Sequence, residues 1–340
     1  MKTTLQYLLI ISLVGLLISC EDTLFEEVPA NTAEENFEHL WNTFNDKYAV
    51  FEQRNVNWQQ AYDQFRPRVT ETTSEVQLYT IITDMLSLLD DAHVSLMAHN
   101  RPFWKGKQEF REANKLDLFS YPVIRDQYID GNPRVYDNKY AYGTINQNTG
   151  YLWVASLADG EPAFIDEFIS LIANTQGAII DLRHCDGGDF TNGKIIASRF
   201  TSERALAFSG SPKTGPGAND FAEFVDYYLE PAGPAQYTKP IVVLIDGYTV
   251  SAAENLALYF KTMPNVTFIG ENSAGAMGER LEKEMPNGWV YSITGQLMVA
   301  ADGNTYEGPG IPANIAIQNT LTDLEAGRDL VLDLAIQSLQ

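Results

Sequence analysis

KPIVVLIDGYTVSAAENLALYFKTM, Lys239 to Met263, reads as one unit: a continuous apolar run, a polar turn, and an amphipathic run of helical period. An apolar run of this length with no polar alternation suits a strand buried on both faces. Leu256, Tyr259, Phe260 and Met263 then repeat at the spacing of a helix face. A buried strand leading into an amphipathic helix is half of a βαβ unit. The turn between them holds Ser251 and Glu254, a Ser-x-x-Glu spacing. That spacing is a capping box, and a serine at a strand-to-helix junction is also where a hydrolase can expose a nucleophile. Taken alone, the segment leaves both readings open.

The same grammar recurs upstream and downstream. YLWVASL, GAIIDLR and VTFIG read as strands; PAFIDEFISLIANT and NGKIIASRF read as helices. The fold class is therefore α/β, with a core spanning residues 149–340 that ends in a helix from Leu321 to about Ser338. Ahead of it, residues 32–97 carry three helical patterns: NTAEENFEHLWNTFNDKY, WQQAYDQFRPRV and SEVQLYTIITDMLSLL. These form a small helical subdomain. Residues 98–148 mix aromatic and β-branched residues with turn signals such as DGNP, as short strands or a hairpin would.

The first nineteen residues read as a secretory leader: Lys2, an apolar stretch from Leu5 to Leu17, and then LISC. Small residues before a cysteine resemble a bacterial lipoprotein cleavage box. Cys20 would then be the lipidated first residue, followed by a polar tether over 20–31. This implies lipid anchoring in a bacterial cell envelope, on the periplasmic or the surface face. With Cys20 so used, Cys185 is the remaining one of two cysteines and no intrachain disulfide forms.

The 340-residue chain has 45 acidic against 23 basic residues, a formal charge of −22. That balance repels nucleic acid. Neither C-x-x-C nor H-E-x-x-H occurs, and four scattered histidines make no zinc set, so no metal or cofactor is expected.

Two turns at strand ends carry the candidate chemistry. In IIDLRHCDGGD, Gly187 and Gly188 follow a buried strand, where open α/β sheets bind ligands. Paired glycines let backbone N–H groups approach a ligand, as an oxyanion hole requires, or simply make a tight connection. At the second turn, the Ala252 N–H at the helix start could face an oxyanion beside Ser251. Of the histidines, His39 reads as a surface residue, His99 as a loop residue and His184 as a neighbour of the glycine turn. His93, in LLDDAHVSL, sits at a structural junction.

In this order, from Phe37 to Ile317, the segments LLDDAHVSL, GYLWVASL, IIDLRHCDGGD, KPIVVLIDGYTVSAAE, FIGENSAGA and DGNTYEGPGIPAN resemble the C-terminal processing and tricorn-type serine peptidase family. One branch of that family uses a lysine downstream of the serine; GENSAGAMGE contains none. The tricorn-type branch uses a histidine from the helical subdomain and a downstream glutamate. The resemblance thus implies a crotonase/ClpP-like peptidase core in which Ser251 is nucleophile, His93 base and Glu307 its orienting partner. Gly187 or Gly188 with Ala252 would form the oxyanion hole, and the partner would be a peptide or unfolded protein. The interval from His93 to Tyr151 is too short for the PDZ domain many relatives carry.

Four positions depart from the family pattern: Ala92 for a serine, Cys185 for the asparagine of the glycine turn, Ser273 for threonine, and Ala313-Asn314 for Pro-Asp. They keep two alternatives open, a weakly active or inactive member acting as a binding protein, and an acyl hydrolase using the same residues.

Overall fold

The computed structural model describes residues 31–107, 110 and 118–340. The leader and Cys20 lie outside the described residues.

Three helices open the described chain: α1 (Ala33–Lys47), α2 (Trp58–Phe65) and α3 (Glu75–Ser87). Each starts on a side-chain cap. Thr32 Oγ1 accepts the Glu35 N–H at 3.1 Å, Asn57 Oδ1 accepts the Gln60 N–H at 3.0 Å, and Ser74 with Gln77 makes a complete capping box. Phe37, Leu40, Phe44, Leu78, Ile82 and Met85 are fully or almost fully buried between them. Trp41 and Trp58 lock α1 to α2 reciprocally, each indole N–H donating to the other's carbonyl at 3.2 and 3.0 Å.

Two short strands follow, β1 (Ser95–Met97) and β2 (Trp104–Lys105), and then α4 (Tyr121–Gln127). That helix corrects the expectation of strand and loop alone between 98 and 148. The expected hairpin is present as β3 (Arg134–Tyr136) and β4 (Tyr140–Ile145). Its turn falls at Asp137-Asn138, both at φ +54°, a conformation these two residue types tolerate.

The remaining chain alternates strand and helix before turning to strands. Its elements are β5 (Thr149–Val154), α5 (Ile165–Ile172), β6 (Gly177–Asp181), α6 (Phe190–Ala197), β7 (Ala205–Pro212) and β8 (Val225–Leu229). Then come β9 (Ile241–Ile245), α7 (Ala252–Lys261), β10 (Val266–Gly270), β11 (Arg280–Glu284), β12 (Val290–Thr294), β13 (Gln296–Ala300) and β14 (Ile315–Ala316). The chain closes with α8 (Leu321–Glu325) and α9 (Leu330–Ser338). One continuous terminal helix was expected there. Gly327, at φ +73°, breaks it, and Asp329 caps the second piece by accepting the Leu332 N–H at 3.0 Å.

The main sheet has seven strands in the order β14-β10-β9-β6-β5-β4-β3. It is parallel from β14 to β5 and antiparallel beyond. It therefore begins at Arg134, ahead of the expected core boundary at residue 149. Because side chains alternate across a strand, the apolar runs of β6 and β9 feed two cores. Ile180, Val243 and Ile245 join the cluster under α5, α6 and α7, whereas Ile179, Val242 and Leu244 pack against Val331, Leu332 and Ala335 of α9.

Two smaller antiparallel sheets complete the mixed α/β fold, β11-β12-β1-β2 and β13-β7-β8. Met285, Trp289, Tyr291 and Ile293 share one cluster with the N-terminal helices, so that early segment buries its core against strands from much later in the chain.

Candidate active site

The site forms where β6 and β9, parallel neighbours, end side by side. The two turns that leave them are tied together. Asp246 accepts N–H bonds from Thr249 at 2.9 Å, Tyr248 at 3.0 Å and His184 at 3.2 Å. Thr249 Oγ1 donates to the Leu182 carbonyl at 2.9 Å, and the Val250 N–H donates to the Cys185 carbonyl at 3.2 Å. Below the first turn, Arg183 is buried between Asp181 and Asp329 at 2.6 and 3.0 Å, with Tyr151 Oη on Asp181 at 2.9 Å. The Arg of the D-L-R segment thus anchors β6 to α9 and stays away from the chemistry.

Ser251 stands at the N-terminus of α7 with φ +63° and ψ −126°, a conformation costly for a residue with a Cβ. Its carbonyl accepts the Glu254 N–H at 2.8 Å, so the hydroxyl is at most a second acceptor for that N–H. Glu254 is fully buried, and its carboxylate gathers four donors. Ser273 Oγ and the Gly275 N–H reach Oε1 at 2.6 and 2.7 Å; the Ala276 and Ser251 N–H groups reach Oε2 at 2.9 and 3.2 Å. The Ser-x-x-Glu spacing is therefore more than a cap. It fixes the nucleophile turn to the 273–276 turn behind it.

Gly187, at φ +84°, passes directly against Ser251; a Cβ there would lie 2.7 Å from the Ser251 Cβ and from the Val250 carbonyl oxygen. Only glycine allows that approach. Gly188 and Ala252 line a cavity of about 370 Å³ together with Ser251. Cys185, in the asparagine position, is buried, and burial pushes its thiol up to about 12, with a bond from the Gly187 N–H opposing. It is a neutral packing residue.

His93 and Ser251 line a second cavity of about 400 Å³, with Ala92, Ser95 and Arg280. His93 is 5% exposed; neither ring nitrogen is in good hydrogen-bond geometry, and the Gly278 backbone lies close enough to favour the charged ring. Burial pushes its pKa down to about 4, with Asp91 opposing and Arg280 and Arg54 adding to the depression. It is neutral at pH 7 and free to accept a proton.

Glu307 is also buried, but no hydrogen bond joins it to His93. Its Oε1 accepts the Met277 and Gly278 N–H groups at 3.1 and 2.6 Å, while Oε2 lies 3.6 Å from Arg54 Nη2 without a hydrogen bond. Burial and the neighbouring Asp91 charge push its pKa up to about 8, against Arg54. Arg54 Nη2 is also 3.5 Å from Asp91 Oδ1. Asp91 accepts the His93 N–H at 2.8 Å and the Tyr48 and Thr294 hydroxyls at 2.7 Å each. Burial alone would raise the Asp91 pKa; Arg54, His93 and these bonds outweigh it and hold it low.

Sequence reasoning passed over Arg54, Asp91 and Glu254. Asp91 was visible inside LLDDAHVSL, and Glu254 inside the capping box. Arg54 gave no signal, because its partners lie far along the chain. Two further departures, Ser273 and Asn314, have local explanations; nothing in the structure explains Ala92. Ser273 Oγ, besides meeting Glu254, accepts the Ile311 N–H at 2.7 Å. Asn314 brackets β10 by donating its N–H to the Phe268 carbonyl at 2.8 Å and accepting the Phe268 N–H on Oδ1 at 2.7 Å.

Residues 148–317 match the model of peptidase family S41, and residues 29–87 that of the tricorn protease C1 domain. The chain belongs to peptidase family S41. That places it among the serine peptidases. A candidate peptidase from Parabacteroides merdae, solved as a crystal structure, is 26% identical with a TM-score of 0.83, covering 91% of this chain and 97% of that one. Mature CPAF complexed with lactacystin shares the fold at 12% identity and a TM-score of 0.66, over 92% and 98% of the two chains. The carboxy-terminal processing protease CtpA of Bacillus subtilis is 25% identical over 172 residues, 50% of this chain and 35% of that protein. The chain spans between 16% and 48% of the length of the curated relatives it matches.

Proposed function

We propose that this chain hydrolyses peptide bonds with Ser251 as nucleophile and His93 as general base. The observation that carries the reading is the pairing of two unusual groups in one cleft. One is a serine held at a strained positive φ at the start of α7; the other is a neutral, buried imidazole that lines the same cavity. His93 takes the Ser251 proton as Oγ attacks the scissile carbonyl, and returns it to the leaving amine. The oxyanion rests on the N–H groups of Ala252, at the helix start, and of Gly188, which lines the Ser251 cavity with it. The imidazolium that forms is met by the negative Asp91, while Arg54 and the two N–H bonds hold Glu307 behind it. Glu307 acts as a positioning residue for the 277–278 backbone and the Arg54 cluster.

The substrate is a peptide or unfolded protein. Lipid attachment at Cys20 would place the enzyme on a bacterial envelope membrane, consistent with the leader sequence. Among the described residues, no helix is long and apolar enough to cross a membrane. A structural neighbour described as a lipoprotein from Streptococcus agalactiae shares the fold at 15% identity and a TM-score of 0.54.

The test is cleavage of a diverse peptide library by protein beginning at Asp22, read by mass spectrometry beside Ser251→Ala and His93→Ala. Each substitution should lower turnover by about 10⁴-fold or more. Cuts that persist in both variants would refute the assignment.

A further inference from the structure

Ser251 opens onto two cavities, and the chemistry assigns them to opposite sides of the scissile bond. His93 must protonate the leaving amine, so the cavity it lines receives the segment after the cut. The acyl half lies where its carbonyl oxygen meets Gly188 and Ala252, over the other cavity of about 370 Å³. The side chain just before the cut drops into that second cavity.

Its walls come from the three-stranded sheet and from two loops. Phe208, Tyr227 and Met298 stand on β7, β8 and β13; Phe190 and Met277 close the sides. Phe208 and Tyr227 stack at 5.0 Å, and Phe190 meets the Tyr227 edge at 5.6 Å. Phe208 and Met298 are 1% and 3% exposed, so the wall is a rigid apolar surface. The rim carries Glu279 and Arg280, one charge of each sign and both exposed, and the cavity lining holds no other charged residue.

Beyond Ser251, two amides interrupt this lining: Gln296, half-buried at the start of β13, and the more deeply buried Asn255. Asn255, on the first turn of α7, is 8% exposed, and its Oδ1 is buried without a hydrogen-bond partner. An unpaired buried amide oxygen is costly, and a half-turn of the amide that brings the oxygen to the cavity lets a ligand donor recover that cost. From the serine peptidase reading, on which this step rests, we infer that the cavity is the specificity pocket for the residue before the cut. It selects a large apolar side chain, and Asn255 favours one with a hydroxyl at its tip, tyrosine above phenylalanine. The hydroxyl fits either orientation of the Asn255 amide, because a phenol both donates and accepts. A site built to bond a hydroxyl also discriminates against the analogue that lacks it, since the protein group then stays unpaired.

The experiment uses the full chain with a peptide series varied only at the residue before the cut: Tyr, Phe, Leu, Lys, Asp and Gly. Beside it, peptide boronic acids ending in tyrosine or phenylalanine report adduct formation at Ser251 without turnover. Tyrosine should exceed phenylalanine by about tenfold in kcat/KM and in boronate affinity, and both should exceed lysine, aspartate and glycine. Asn255→Leu, of similar volume, should bring the Tyr-to-Phe ratio to one or below. A wild-type preference for lysine, aspartate or glycine overturns the pocket assignment and leaves the peptidase reading standing. Equal rates for tyrosine and phenylalanine, or an unchanged ratio in Asn255→Leu, overturn the role of Asn255. Neither cleavage nor a boronate adduct with any member overturns the peptidase reading, and the pocket with it.

Discussion

Replacing Glu254 by glutamine changes one oxygen for an amide nitrogen and almost nothing in volume. The surroundings make that exchange expensive. All four groups facing the carboxylate are donors: the N–H groups of Ser251, Gly275 and Ala276, and the Ser273 hydroxyl. Ser273 cannot turn its hydrogen away, because its oxygen already accepts the Ile311 N–H at 2.7 Å. The glutamine oxygen can take over from Oε1 or from Oε2, but not both. With the oxygen kept at the Oε1 position, the NH₂ faces the Ala276 N–H, which loses its acceptor, and the Ser251 N–H, which keeps the Ala276 carbonyl at 3.0 Å. At about 1–3 kcal/mol for a buried unsatisfied group, Glu254→Gln should cost roughly 1–3 kcal/mol. Against a total stability of about 5–15 kcal/mol for a folded protein, that is a large fraction. Urea unfolding at pH 7, followed by tryptophan fluorescence, reads the difference. The Ser251 turn should loosen at the same time, so peptidase turnover should fall further than the loss of folded protein explains. A cost below about 0.5 kcal/mol would refute the reasoning. It would mean that the carboxyl is already protonated in the folded protein, as burial alone would favour.

Other consequences follow from the strained serine and the buried titrating groups. Ser251→Gly removes the Cβ that makes φ +63° costly. It should therefore match or exceed Ser251→Ala in stability by up to about 1 kcal/mol while both are inactive; thermal unfolding of the two variants decides, and a less stable glycine variant would contradict the strain. Glu307, raised from its ordinary 4.5 to about 8, holds a proton in the folded state across that window while the unfolded chain has lost it. Stability from Glu307 is thus fully present below pH 4.5 and lost as pH rises towards 8. His93 acts in the opposite sense. Lowered from 6.5 to about 4, it makes the unfolded chain bind more protons in that interval, so stability rises with pH there. Between pH 4.5 and 6.5 the two groups offset each other, so Glu307→Gln should flatten unfolding midpoints above pH 6.5 and unmask the His93 rise below it. An unchanged decline at high pH would show that Glu307 is ionised throughout.

Much of the fold could be read before the structure, and the reasons are specific. The parallel strands β6 and β9 carry unbroken apolar runs because both faces are covered. The terminal helix was misread because the apolar period continues across Gly327, and only the backbone reversal there separates α8 from α9. The helix α4 was missed because a seven-residue helix beginning Tyr-Pro shows too little periodicity to separate from a strand. At the candidate site, Ser251 stood out from its turn as cap or nucleophile, whereas the roles of His93 and Glu307 came only by resemblance, since a lone histidine in a turn carries no signal of its own. What surrounds them was less accessible still. Arg54 reaches Gly275, Asp91 and Glu307 across the fold, and such convergence is set by tertiary packing that local sequence does not encode.

The central claim is that Ser251 is a nucleophile activated by His93. Its most direct measurement is covalent labelling by a fluorophosphonate at pH 7.5, followed as the intact mass and mapped by peptide sequencing. The account predicts a single adduct on Ser251, absent in Ser251→Ala and formed at least about 10³-fold more slowly in His93→Ala. No adduct, or an adduct whose rate is indifferent to His93, would contradict it.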